Sequence, residues 1–288
     1  MSVSTVEIGQ LSAPNLVAEA ANGVRYTYRR FGTPRPGTKP LLFLMHYRGN
    51  LDFWDPALVD AVAVEREVIL FDNAGVGGST GTTPRSITEM ARHVLAFTEA
   101  LELDTIDLFG FSMGGFVAQE VALLRPHLIR RLVLAGTGPQ GGEGMHGYAD
   151  PAIHAAATRP EQDGNDVIEL FFEKTPTSVA KGWEALQRIF SRTENHDEPI
   201  SVACRTAQLD AIIEWGIPNA TLLNRLAGIK QPTLVAGGDN DRMVPTKNTY
   251  LLGEHIPHAR VSVYANAGHA FISQYPTEFA AEVNAFLG

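Results

Sequence analysis

A single cysteine, Cys204, among 288 residues leaves no internal disulfide to be formed, which points to a reducing compartment rather than a cross-linked secreted scaffold. No stretch approaches the roughly 18 uninterrupted apolar residues of a membrane span. The opening MSVSTVEIGQLSAPNL lacks the basic and apolar regions of a signal peptide, so a cytoplasmic protein is expected. Basic residues are in deficit, with 23 Lys and Arg against 32 Asp and Glu, a net charge of −9 and a pI near 5.5. That balance argues against a nucleic-acid partner, which needs clustered cations to displace counterions, and gives an anionic substrate no bulk attraction. No internal repeat or low-complexity tract is present, which excludes solenoids and propellers. No His or Cys cluster has ligand spacing, so neither metal nor other cofactor is expected. What remains is a chain 44% hydrophobic and 19% charged, the composition of a globular protein with a substantial core. Its length suits one large α/β domain or two small ones, and its oligomeric state is left open.

The element pattern narrows this. VRYTYRRFG, residues 24–32, alternates bulky and polar residues as an exposed strand does, and turn-forming TPRPGTKP follows it. LLFLMH, residues 41–46, is continuously apolar, as expected of a strand buried on both faces of a parallel sheet. The pattern recurs in EVILFD (67–72), IDLFGF (106–111), RRLVLAG (130–136), PTLVAGG (232–238) and RVSVYA (260–265). Helical stretches lie between, including SITEMARHVLAFTEALEL (86–103), which opens on a capping box. Strand alternating with helix predicts an α/β fold with a mostly parallel, doubly wound sheet. From about 138 to 229 no buried-strand run appears. That interval reads as a helical cap inserted into a core of residues 1–137 and 230–288, over the strand ends where open α/β sheets keep their ligands.

In DLFGFSMGGFVAQEVALL, Gly110-Phe111-Ser112-Met113-Gly114 forms G-x-S-x-G between a buried strand and an apolar helix. A serine at such a turn is exposed for attack, and the helix start behind it offers N–H donors to an oxyanion. A serine hydroxyl is a weak nucleophile alone and requires a base, commonly a histidine oriented by a carboxylate. Of nine histidines, His269 lies just past the final predicted strand, whereas His93, His127, His255 and His258 fall in helices or connectors. GGDNDRMVP presents Asp239 and Asp241, and spacing alone does not choose between them.

From LLFLMHYRGN through GFSMGG and GDNDRMVP to NAGHAFISQYP, the chain resembles the α/β-hydrolase superfamily. Within it, the chain is similar to the small bacterial branch containing carboxylesterases, cofactor-free haloperoxidases (perhydrolases) and C–C bond hydrolases. The order Ser, Asp, His agrees with that family. The resemblance implies Ser112 as nucleophile, His269 as base and, through D-x-x-V-P, Asp241 rather than Asp239 as the acid. It assigns Ser79, in DNAGVGGSTG, to a structural turn. It also implies an oxyanion hole made by the backbone N–H of Met113 and that of Arg48, in a loop where His46-Tyr47-Arg48 replaces the family's His-Gly-x. His46, Tyr47, Trp183 and Trp215 are candidate pocket residues, with Phe171, Phe172 and Phe190 as further cap aromatics.

The chemistry so implied is that of a serine esterase acting on a small-molecule substrate through an acyl-enzyme. Two alternatives use the same serine site: hydrolysis of a C–C bond in a vinylogous diketone, and acyl transfer to peroxide. A third is a hydrolase-like signalling protein that binds its ligand and turns over slowly. The acyl length and the directions of the cap residues Arg192, Arg205 and Asn219 are not encoded in these patterns.

Overall fold

The computed structural model describes residues 8–146 and 150–288. The first seven residues of the segment read above as leaderless therefore lie outside the described residues. The elements run β1 (Leu16–Glu19), β2 (Arg25–Gly32), β3 (Leu41–Leu44), α1 (Pro56–Ala63), β4 (Glu67–Phe71), α2 (Ile87–Ala100), β5 (Ile106–Phe111), α3 (Met113–Leu124) and β6 (Ile129–Ala135). After β6 come α4 (Pro151–Thr158), α5 (Gly164–Phe171), α6 (Pro176–Ile189), α7 (Val202–Trp215) and a 3-10 segment (Ala220–Gly228). The chain then returns to the sheet with β7 (Thr233–Gly238), α8 (Lys247–His255) and β8 (Ala259–Tyr264), and ends in α9 (Phe271–Gln274) and α10 (Pro276–Leu287).

The eight strands form one sheet in the order β1-β2-β4-β3-β5-β6-β7-β8. The β1–β2 and β2–β4 pairs are antiparallel and the others parallel. Alternation along each central strand divides the core between the two faces. Leu42, Leu44, Ile69 and Phe71 pack with Met90, Val94 and Phe97 of α2 and Phe116, Val117 and Val121 of α3. Leu41, Phe43, Val68 and Leu70 pack instead with Leu58 and Val62 of α1 and Phe279 and Val283 of α10. Both faces are covered, which is why these strands read as unbroken apolar runs. β1 escaped the sequence reading because its four residues are too few to show alternation; it is held by pairing, Leu16 opposite Tyr28, after a turn ending at Gly23.

Between β6 and β7 the described residues contain helices and no strand. This insertion is fastened to the core by charged side chains. Arg188 of α6 donates to both oxygens of Asp55, the N-cap of α1, at 3.0 and 2.7 Å. Buried Arg192 donates to the carbonyls of Gln10 (2.6 Å) and Ala13 (2.7 Å), which settles where it points. Asn219 points to its own chain, capping the 3-10 segment at Thr221 N. No helix among the described residues is long and apolar enough to cross a membrane.

Helix α3 is buried around most of its circumference and sits tightly against the strand ends. A Cβ on Gly114 would overlap the Leu44 carbonyl oxygen, and one on Gly110 would stand 2.5 Å from the Gly114 carbonyl oxygen. Helix propensity alone favours alanine over glycine by about 0.8–1 kcal/mol. Here the contact reverses the sign: Gly114→Ala is expected to destabilise by at least about 2 kcal/mol in urea unfolding, and a stabilised variant would contradict this packing.

Candidate active site

Ser112 occupies the single residue between β5 and α3, with φ 56° and ψ −121°, a conformation that side chains other than glycine rarely adopt. It is held there by hydrogen bonds on both sides. Its N–H donates to the Ala135 carbonyl (2.9 Å), and its own carbonyl accepts from Thr137 Oγ1 (2.8 Å). The helix start places the Met113 and Gly114 N–H groups immediately after the serine, where the first N–H groups of a helix have no intrahelical acceptor.

The two aspartates after β7 divide two tasks. Asp241 Oδ1 accepts from the N–H groups of Met243 (2.9 Å) and Val244 (2.8 Å), which leaves Oδ2 facing His269 Nδ1 at 2.6 Å. Asp239 instead accepts from the N–H groups of Asn266 (2.9 Å) and Ala267 (3.0 Å), pinning the loop that carries His269. With the Asp241 carboxylate as acceptor, the ring proton belongs on Nδ1, and Nε2 is left as the lone-pair nitrogen. His269 is wholly buried, and among the described residues Nε2 has no hydrogen-bond partner. The imidazole stacks on Phe111, the residue before Ser112, at 5.2 Å between centroids, and lies 5.5 Å from Phe171 of α5. Gly136, with φ 53°, leaves room for this approach: a Cβ there would stand 3.1 Å from Phe111 and 3.2 Å from the His269 carbonyl oxygen. Ser79 has a different employment, accepting from Thr27 N and donating to the Asp72 carbonyl, both at 2.8 Å.

Arg48, expected to donate its backbone N–H to an oxyanion, already donates it to Gln208 Oε1 at 2.9 Å. The expectation is corrected to this extent: the donor is engaged by the side-chain amide of Gln208, a buried residue of α7. Arg48 has a left-handed φ of 64°, and its guanidinium reaches the carbonyls of Ala157, Arg159 and Pro160 at the end of α4.

Two cavities flank the serine. The larger, about 330 Å³, is lined by His46, Tyr47, Phe53, Phe111, Phe171 and Ala270 among others, but not by Ser112 or His269. The smaller, about 30 Å³ and so of the order of one water molecule, is lined by Met113, Gly114, Asp72 and Gln208. His46 lines both, and its ring contacts Phe111 (5.4 Å) and Phe171 (5.1 Å). Ser112 itself is buried, 6% exposed. Trp183 and Trp215 are corrected as pocket residues, for neither lines the larger cavity. Trp183 is 41% exposed on the outer side of α6, and Trp215 is buried in the core, stacked on Phe116 and donating to the Gly138 carbonyl. Phe171, Phe172 and Phe190 do line it. Among the described residues no group of three or more His, Cys, Asp or Glu is arranged to hold a metal ion.

A family profile described as alpha/beta hydrolase fold matches residues 39–274. A relative from Azorhizobium caulinodans named as a carbamate hydrolase, RutD, is 27% identical over 253 residues, 86% of this chain and 91% of that protein. A poly(3-hydroxyalkanoate) depolymerase of Ectopseudomonas oleovorans is 29% identical over 83% of this chain and 80% of its own. Among solved structures, an alpha/beta hydrolase fold protein from Chitinophaga pinensis superposes with a TM-score of 0.90 at 36% identity, covering 97% of this chain and 98% of that one.

The pKa of His46 is lowered from 6.5 to about 4, chiefly by burial, with the hydrogen bond to the Tyr47 carbonyl opposing the shift and the neighbouring His269 adding a smaller lowering. His46 is therefore neutral in the fold at neutral pH. Between about pH 6.5 and 4 the unfolded chain takes up a proton there that the folded chain refuses, so stability falls as pH falls through that window, by roughly 2–3 kcal/mol from this group. His46→Gln is expected to flatten the decline of urea stability between pH 7 and 4.5; parallel curves for the two proteins would refute it.

Proposed function

The chain belongs to the alpha/beta-hydrolase fold family, and on that premise we propose that it is a serine hydrolase cleaving a small ester or related acyl substrate. The observation that carries the reading is the buried His269, bound through Nδ1 to Asp241 at 2.6 Å while Nε2 has no hydrogen-bond partner among the described residues, beside the strand-to-helix turn of Ser112. Relatives named as a carbamate hydrolase and a poly(3-hydroxyalkanoate) depolymerase support a hydrolytic reading.

On this reading the helical insertion is a cap that opens to admit substrate, since Ser112 is only 6% exposed. Ser112 Oγ attacks the carbonyl carbon as its proton passes to His269 Nε2, and Asp241 stabilises the imidazolium. The carbonyl oxygen, gaining charge, replaces Gln208 Oε1 at the Arg48 N–H and takes a second hydrogen bond from Met113. Each such donor is worth about 2.7–4 kcal/mol of transition-state stabilisation. The leaving group departs with the proton from Nε2. Water, deprotonated by the same nitrogen, then attacks the acyl-enzyme and releases the acid.

Purified protein is expected to turn over short-chain p-nitrophenyl esters and to be labelled by a fluorophosphonate, with Ser112→Ala losing both. Turnover that survives in Ser112→Ala, or a folded wild-type protein that takes no label, would overturn the reading.

Gln208 supplies a test with opposite signs. Gln208→Ala vacates the Arg48 donor and is expected to raise kcat/KM on small esters about threefold or more, whereas Gln208→Glu binds that donor more strongly and lowers it. A fall of similar size in both variants would instead make Gln208 a purely structural support.

A further inference from the structure

The larger cavity has an apolar body and three charged side chains in its lining. Phe53, Phe111, Phe172, Leu186 and Ile272 form much of the body, and Asp55, Arg48 and Arg205 are the charged residues of the lining. Asp55 is neutralised by the two-point contact from Arg188 and spends one oxygen capping α1 at Ala57 N. His46 is neutral. Arg48 is committed to the carbonyls at the end of α4, where a helix presents partial negative charge.

Arg205 is different. Nη1 donates to the Pro160 carbonyl, and Nε is buried with no hydrogen-bond partner among the described residues. The buried acid of the adjoining cap segment, Asp166, is already taken by Arg159 at 2.7 Å. Two guanidinium groups thus converge on the Pro160 carbonyl. Arg205 is partly exposed, so its charge is tolerated without an anion, and its planar fork matches a carboxylate. The chain as a whole carries −9, so any attraction for an anion at this site is local.

Resting on the hydrolase reading for its chemistry, we infer that the site takes acyl substrates with an apolar body and a free carboxylate, and that Arg205 binds that carboxylate. The volume, about 330 Å³, is at the lower end for small-molecule sites and admits a body of about one aromatic ring with a short chain.

The test is equilibrium binding, which needs no turnover. Calorimetry compares 4-phenylbutyrate with 4-phenylbutyramide, ligands of one shape that differ in charge, on wild type, Arg205→Gln and Arg205→Met. The carboxylate is expected to bind wild type about tenfold or more tightly than the amide, and the ratio to fall to about one in both variants. The amide, bound equally by all three proteins, shows that the cavity is intact; the second variant, which keeps an apolar stem, serves if the first does not fold. Equal binding of the two ligands by wild type, or a carboxylate preference that survives in the variants, overturns the assignment. Neither result touches the role of Ser112, and loss of ester turnover would leave the binding ratio unaffected.

Discussion

Helix α3 comes so close to the ends of β3 and β5 that only glycine fits at positions 110 and 114, and the geometry of the site depends on that approach. With the helix seated against the Leu44 carbonyl, the chain has one residue in which to turn from strand to helix. Ser112 takes the turn at positive φ, a strain of about 1–3 kcal/mol held by the pairing to Ala135 and the Thr137 hydroxyl. The same seating brings the first N–H groups of α3 to the serine and lays the Phe111 ring against His269.

The remaining groups come from the carboxyl ends of neighbouring parallel strands, where an open α/β sheet keeps its ligands. β7 delivers Asp239 and Asp241 two residues apart, so one holds the loop and the other the ring. Neither role is interchangeable with the other: among the described residues Asp239 accepts from backbone of the 266–267 turn and from a neighbouring amide, while Asp241 meets the imidazole. The insertion closes this arrangement from above through Phe171, whose carbonyl accepts from Ala270 N at 2.8 Å and whose ring lies against both His46 and His269. Gln208, whose amide oxygen accepts from the Arg48 N–H, belongs to the same insertion.

The fold was legible because the central strands are buried on both faces and mostly apolar, so LLFL and EVILF announce themselves, and IDLFGF does so despite its buried Asp107, which Arg130 pairs at 2.6 Å. Ser112 was legible for a local reason: strand, glycines and helix are contiguous in sequence. Asp241 needed family resemblance, because an Asp-Asn-Asp turn carries no directional signal until His269 is placed beside it. Gln208 was invisible, standing 160 residues from Arg48 on a helix whose periodicity does not say which polar side chain turns inward. Trp183 and Trp215 failed for a related reason. Both lie on helices of the segment between β6 and β7, yet one faces outward and the other packs onto Phe116, a distinction set by tertiary contacts rather than by composition.

Peptide mapping of the protein quenched in acid during turnover of p-nitrophenyl acetate tests the central claim most directly. The account expects an acetyl group on the peptide containing Ser112, localised to that side chain, present while substrate lasts and gone once it is exhausted. Turnover with no acyl adduct at Ser112, or with the acetyl group on another residue, would contradict it.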